Sequence, residues 1–198
     1  MSQSLNRRSL LMLRRHGEQR LRVAWERLPQ HEEPEGIDWY PNEHAWISRL
    51  ARRYNMPVSN VAAVCAVLSP RTPWERNKLL TEMAVDGTPI RPYTLGLNAD
   101  KANRIITGED PDRVVSGNKT RSFWRNLAGD YRPVTIDTHS GTLVTGRDYN
   151  ADGAHFLERK GVYQIYERAF QNVAAEVGLE PAIFQAVLWK PIMEVNDE

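Results

Sequence analysis

Apolar residues in this chain recur three and four places apart far more often than two. Tyr163, Tyr166, Phe170, Val173 and Val177 step by three and four, the spacing of one face of an α-helix. Leu10, Leu13, Leu21, Ala24, Trp25 and Leu28 keep a similar rhythm, which predicts one long helix across the first thirty residues. A second helix is predicted from near Asn42 to Asn55, with Ala45, Trp46, Leu50 and Tyr54 as its inner face and Pro57 beyond its end. Val61–Leu68 is apolar on nearly every side and belongs in the middle of a domain; Ser59 or Asn60 would cap it. Cys65, within it, reads as a small core residue. Further helices are predicted at 74–84, 98–106, 118–127 and 137–146, with turns or loops at 87–92, 108–112 and 146–153. Pro181 suits a first helical position, and Ile183, Phe184, Val187 and Leu188 then form the last buried face. Few segments alternate with period two, so the predicted fold class is all-α.

Composition narrows the function classes. The chain has 198 residues, enough for one ordinary domain and a real core. Twenty-six Lys+Arg against 25 Asp+Glu leave a net charge of +1, so any basic surface must be local. Seven arginines between Arg7 and Arg27 face only Glu18 and Glu26, and the acidic linker His31-Glu32-Glu33-Pro34-Glu35-Gly36 follows. This suggests a basic N-terminal helix and linker over 1–36 and a helical domain over 37–198. The helix is either a solvated charged face or an arm that touches phosphates. A single cysteine excludes an internal disulfide, a multi-thiolate zinc site and a four-cysteine iron–sulfur cluster. No apolar run reaches the ~18–20 residues needed to span a bilayer, and no signal-like core follows the first charges. A reducing, cytoplasmic setting without a membrane partner is the expectation.

The candidate chemistry lies in Gly117-Asn118-Lys119-Thr120 and, eighteen residues beyond the lysine, Asp137-Thr138-His139. A glycine ahead of a helix start leaves backbone N–H groups and the positive dipole end open, a natural seat for a phosphate. Lys119 lies in the first turn, where that dipole disfavours its charged form, and an uncharged lysine is a usable nucleophile. The turn Gly129-Asp130-Tyr131-Arg132-Pro133 lets the chain fold back and bring the Asp137 carboxylate towards the amine. Taken alone, the pair also reads as a surface lysine and an N-cap aspartate.

These residues resemble the helix–hairpin–helix DNA glycosylases, in particular the endonuclease III-like branch. That branch carries a glycine–x–lysine–threonine helix start and, eighteen residues on, the aspartate of an aspartate–threonine–histidine triplet; Lys119 and Asp137 fall on those positions. Val67-Leu68-Ser69 running to Asn77-Lys78, and Leu95-Gly96-Leu97-Asn98 with Lys101-Ala102 and Ile105-Ile106, resemble two further family segments in the same order. The likeness covers roughly 58–146, and more weakly the helices up to Trp189. It departs where the family's hairpin has two glycines, since Val114-Val115-Ser116-Gly117 has one in a shortened segment. The iron–sulfur ligands of many relatives are missing, and Pro70-Arg71 stands where relatives often carry a gap-filling glutamine.

The resemblance implies two helical lobes with a groove between them, double-stranded DNA as partner, and N-glycosidic cleavage of an extruded nucleotide without a cofactor or metal. Lys119 and Asp137 would be the catalytic pair, with burial keeping the lysine neutral and the Thr138 and His139 backbone orienting the aspartate. Gly117, Asn118, Thr120 and Arg121 would meet the phosphates, with Arg71, Trp74 and Lys78 at the opened duplex. Strand cleavage through a Schiff base on Lys119 is a further expectation. Alternatives are a glycosylase-like fold that grips DNA without cutting, or one that processes modified bases in phage DNA. Lys101, Arg104, Arg113 and Arg125, together with Arg76, extend the expected basic face. Asp148-Tyr149-Asn150-Ala151-Asp152-Gly153 imitates the opening of a calcium loop, but position 159 is Arg159 where the closing acid belongs, so a polar loop is expected. The five histidines show no metal-ligand spacing.

Overall fold

The computed structural model describes residues 6–29, 36–146 and 154–196, and the calcium-like stretch lies outside them apart from its flanks. Among the described residues the fold is helical, without a strand. The helices in chain order are α1 (Arg7–Glu26), α2 (Trp39–Arg53), α3 (Val58–Leu68), α4 (Trp74–Val85), a short 3-10 turn (Arg91–Tyr93), α5 (Gly96–Ile106), α6 (Pro111–Val114), α7 (Asn118–Leu127), α8 (Thr138–Thr145), α9 (Ala154–Leu157), α10 (Val162–Glu176) and α11 (Pro181–Asn196). No helix among the described residues is long and apolar enough to cross a membrane.

Most boundaries follow the periodicity, and the exceptions have local causes. The stretch expected as a loop over 108–112 instead opens α6. Asp110 caps it by accepting the Asp112 N–H at 2.9 Å, and Pro111 takes the first helical position, where its missing donor costs nothing. Helix α3 begins before the expected caps Ser59 and Asn60: Pro57 stands at the N-cap with extended backbone and no side-chain cap bond. Helix α1 starts behind Asn6, whose side chain accepts the Ser9 N–H at 2.9 Å.

The chain divides into two compact units, one from residues 1–40 and 131–198, the other from Pro41–Asp130. In the first, α1 packs along α10 and against α8, and α11 closes over α10 and α8. Tyr166, Phe170, Phe184 and Leu21 are fully buried there. Gly17 permits the close approach of α1, since a Cβ at that position would sit 3.2 Å from the Tyr166 ring. Outside this seam, Arg22 donates to both Glu176 oxygens at 2.7 and 2.6 Å.

In the second unit α3 is the central rod. Val61 to Leu68 are buried without a break, and α4, α5 and α7 surround them. A helix with no polar face has no other stable place. Asn77, wholly buried on α4, donates to the Cys65 carbonyl at 3.2 Å. Burial pushes the Cys65 thiol up to about 12, against the opposing hydrogen bond of Thr81.

Candidate functional site

In the second unit, α6, a three-residue turn and α7 form a short helix–turn–helix. Val114 and Val115 are buried and anchor the turn, whereas Ser116, Gly117, Asn118 and Lys119 are exposed. Gly117 holds φ +83, a conformation open to glycine and costly for other residues. Nothing lies within 4 Å of where its Cβ would be, so the backbone can be approached closely. No side chain caps α7, which leaves its first-turn amides directed outward beside Lys119 and the half-buried Thr120. Behind the tip the helix is fixed. Phe123, Trp124 and Leu127 are buried, and the Trp124 indole N–H donates to the Ser59 carbonyl at 2.9 Å. Lys101 on α5 donates to Ser116 Oγ at 2.9 Å.

The remaining residues expected at DNA in this unit have varied surroundings. Arg121 donates to the Asp112 carbonyl at 2.6 Å and approaches its carboxylate at 3.3 Å, so it braces α6 against α7. Lys78 pairs with Glu75 at 2.7 Å and lies 5.9 Å from the Trp74 ring centre. Trp74 donates its N–H to Glu43 at 3.0 Å and meets Trp46 and Phe123 edge to face. It is packed as an anchor. Arg71 is different: it is exposed at the apex of the α3–α4 corner with φ +60, a strained position for a non-glycine residue.

In the first unit the candidate site residue is Asp137. Val134, Thr135 and Ile136 run buried into the start of α8. The Tyr163 hydroxyl fixes this segment by donating to the Val134 carbonyl at 2.7 Å and accepting the Ile136 N–H at 3.1 Å. Asp137 is the N-cap of α8: Oδ1 accepts the Ser140 N–H at 2.8 Å, and Oδ2 accepts the Trp189 indole N–H at 3.1 Å. These donors replace the expected Thr138 and His139 backbone, because an N-cap side chain reaches the amide three residues on. Thr138 and His139 are half-buried within the first turn of α8.

A polar network supports the carboxylate. Buried Gln185 donates to Ser140 Oγ at 3.1 Å and accepts from the Tyr40 hydroxyl at 3.4 Å. Burial raises the Tyr40 phenol far above its ordinary range; a hydrogen bond with Thr135 opposes this and the negative charge of Asp137 adds to it. Tyr40 therefore remains a neutral donor at any physiological pH. Trp39 stacks edge-on to Trp189 at 5.6 Å and to Tyr40 at 4.7 Å, so aromatic rings frame the acid. Sequence reasoning did not find Tyr40, Gln185 or Trp189. Only the serine three places after the N-cap carried a local signal for any of this network.

Lys119 and Asp137 belong to different units, the second and the first respectively. Lys119 is exposed, so the burial expected to strip its proton is not supplied. No curated protein and no solved structure matches the chain. A family of unknown function, DUF7178, matches residues 4–195, nearly the whole sequence, and the chain belongs to that family.

Proposed function

We propose that the protein binds double-stranded DNA as a base-excision glycosylase does, with the α6–α7 turn on the phosphate backbone. The observation that carries this reading is the start of α7. There a glycine held at φ +83 with open space around it precedes an uncapped helix whose first turn bears Asn118, Lys119 and Thr120. Backbone amides and a helix dipole directed at solvent favour an anion. The ordered likeness to the glycosylases, from Val67-Leu68-Ser69 to Asp137-Thr138-His139, supplies the rest.

In this reading Lys119 and Asp137 are the groups that act on an extruded nucleotide. The lysine amine attacks the anomeric carbon and the glycosidic bond breaks with its electron pair leaving on the base, which takes up a proton; the sugar ring then opens at C1′–O4′, the amine's proton passes to O4′, and a Schiff base between lysine and the ring-opened sugar remains. Asp137, ionised, stabilises the positive charge that grows on the sugar ring. DNA closing over the exposed lysine has to supply the desolvation that the protein alone does not.

A second reading, a glycosylase-like binder without chemistry, is favoured by one observation. Both oxygens of Asp137 are already engaged, by the Ser140 N–H and the Trp189 indole, as in a structural cap. Borohydride trapping on duplexes carrying damaged or modified bases, including those of phage DNA, separates the two. An adduct that disappears in Lys119→Ala, with base release lost in Asp137→Asn, supports the enzyme. Salt-sensitive binding without adduct or abasic product supports the binder. Failure to bind duplex at low salt overturns both.

A further inference from the structure

The first unit holds a groove of about 570 Å³ to which no step above assigns a role. One side, on α1 and the two residues after it, carries His16, Gln19, Arg20 and Arg27; the aliphatic floor comes from Val23, Ala24 and Leu28 with Leu143 of α8 and Leu188 of α11. Among the described residues no acidic side chain lines it. This sets it apart from the rest of α1, where Arg22 pairs with Glu176 and Arg14 with Glu18. Arg14 and Arg22 thus hold the fold, whereas Arg20 and Arg27 line the groove.

Arg20 is placed in advance. Its Nε donates to the Leu143 carbonyl at 2.7 Å, in the last turn of α8. The left-handed Gly146 then ends the helix, and a Cβ there would lie 2.6 Å from Arg20 Nη1. The guanidinium is thus seated against the end of α8 at the margin of the apolar floor. Arg27 lies seven residues further, roughly 10 Å along the helix axis, with Val23 and Ala24 between the two cations. The groove thus presents an aliphatic bed with a cation at each end.

We infer that this groove is a binding site for a small organic anion with an apolar body: a carboxylate, sulfonate or phosphate monoester on an aliphatic or aromatic frame. Its volume is in the range of small-molecule sites, about 300–1,000 Å³. A bare inorganic anion would leave the five aliphatic side chains uncovered. A neutral apolar molecule would bring nothing to the arginines. A duplex backbone, charged every ~3.4 Å along each strand, has no apolar surface to lay on that floor. The site is independent of the proposed reaction at DNA.

The test is fluorescence titration of the full chain with anilinonaphthalene sulfonate, alongside its uncharged parent phenylnaphthylamine. One saturable site is expected, with the sulfonate bound about tenfold more tightly than the neutral probe. Arg27→Gln should remove most of that preference and leave the neutral probe unchanged. Val23→Glu should weaken the sulfonate at least about tenfold by placing an acid on the floor. Octanoate should displace the sulfonate and octanol should not. Both substituted residues are exposed, and unchanged helical circular dichroism confirms that each variant folds. Equal affinity for the two probes, wild-type binding by either variant, absence of saturable binding, or displacement by a short DNA duplex would each overturn the assignment.

Discussion

Asp137 serves two purposes that substitution can separate. As an N-cap it accepts the Ser140 N–H, and asparagine does this nearly as well; as a charge it has no neutral substitute. Asp137→Asn should therefore cost about 1 kcal/mol, because the amide NH2 that replaces Oδ2 cannot accept the Trp189 N–H, while Asp137→Ala should cost about 2–3 kcal/mol because the cap is lost as well. Urea unfolding followed by tryptophan fluorescence measures both. If the proposed chemistry holds, the asparagine variant loses base release while it remains folded, whereas a purely structural cap predicts two folded variants that differ only in stability. Glu43 gives the residue scale a pH signature. Burial raises its carboxyl above the ordinary range, against the Trp74 N–H and the charge of Lys78, which favour ionisation. A raised acid stabilises the fold while protonated, and that contribution is lost as pH rises through the shifted value. Glu43→Gln should therefore gain stability relative to wild type between about pH 4 and pH 7, and little below that. Paired thermal melts across that range test the sign.

Among the elements, the α6–α7 turn is where conformation and the proposed recognition meet. Gly117→Ala forces a side chain to φ +83 and should cost about 1 kcal/mol, without a clash, because nothing lies within 4 Å of the new Cβ. Thermal unfolding reads that cost. The same variant should weaken duplex binding by more than the stability loss explains if the turn contacts phosphate, because the methyl group would stand where the backbone must approach. Helix α3 shows the opposite behaviour: its burial leaves it no surface on which to act, and Cys65 in its middle is held by packing. Helix α1, read from sequence as a solvated face or a phosphate arm, is packed along α10 and α8; Arg14 and Arg22 pair with glutamates, and Arg20 bonds the Leu143 carbonyl.

At the scale of the whole molecule, the near-neutral total charge constrains how the proposed DNA partner would be held. Several cations of the expected basic face are already matched: Arg104 by Glu109, Arg121 by Asp112, Lys78 by Glu75. Arg71, Arg113, Lys119 and Arg125 are exposed. Binding through so few charges should show a shallow salt dependence, a log–log slope of about −2 to −4, against about −8 if all nine cations met phosphates. Fluorescence anisotropy over a salt series gives the slope. Cooperativity can be read from the single thiol. With Cys65 fully buried and its thiol pushed up to about 12, labelling by an aromatic disulfide near pH 8 should wait for opening of the second unit. Its rate in dilute urea should follow the unfolding free energy within about 1 kcal/mol. Fast labelling of native protein would contradict the packing described for α3.

The all-helical class, the buried rod at Val61–Leu68, the bounds of α7 and the cap at Asp137 were legible because each is written in neighbours one to four residues apart, the distances over which a helix turns and caps. The helix α6 was missed at the same range, where a proline and an aspartate read equally well as loop. What surrounds Asp137 could not be read that way. Trp189 stands 52 residues from the carboxylate it meets, and Tyr40 stands 145 from Gln185. Those contacts exist only because Trp39 and Tyr40, at the start of α2, lie in the first unit with α8 and α11, and no periodicity encodes which residues become neighbours. The groove on α1 has the same origin. Its arginines were visible as a charge run, but the aliphatic floor between them is contributed in part by Leu143 and Leu188, which only the packed chain brings beneath that face.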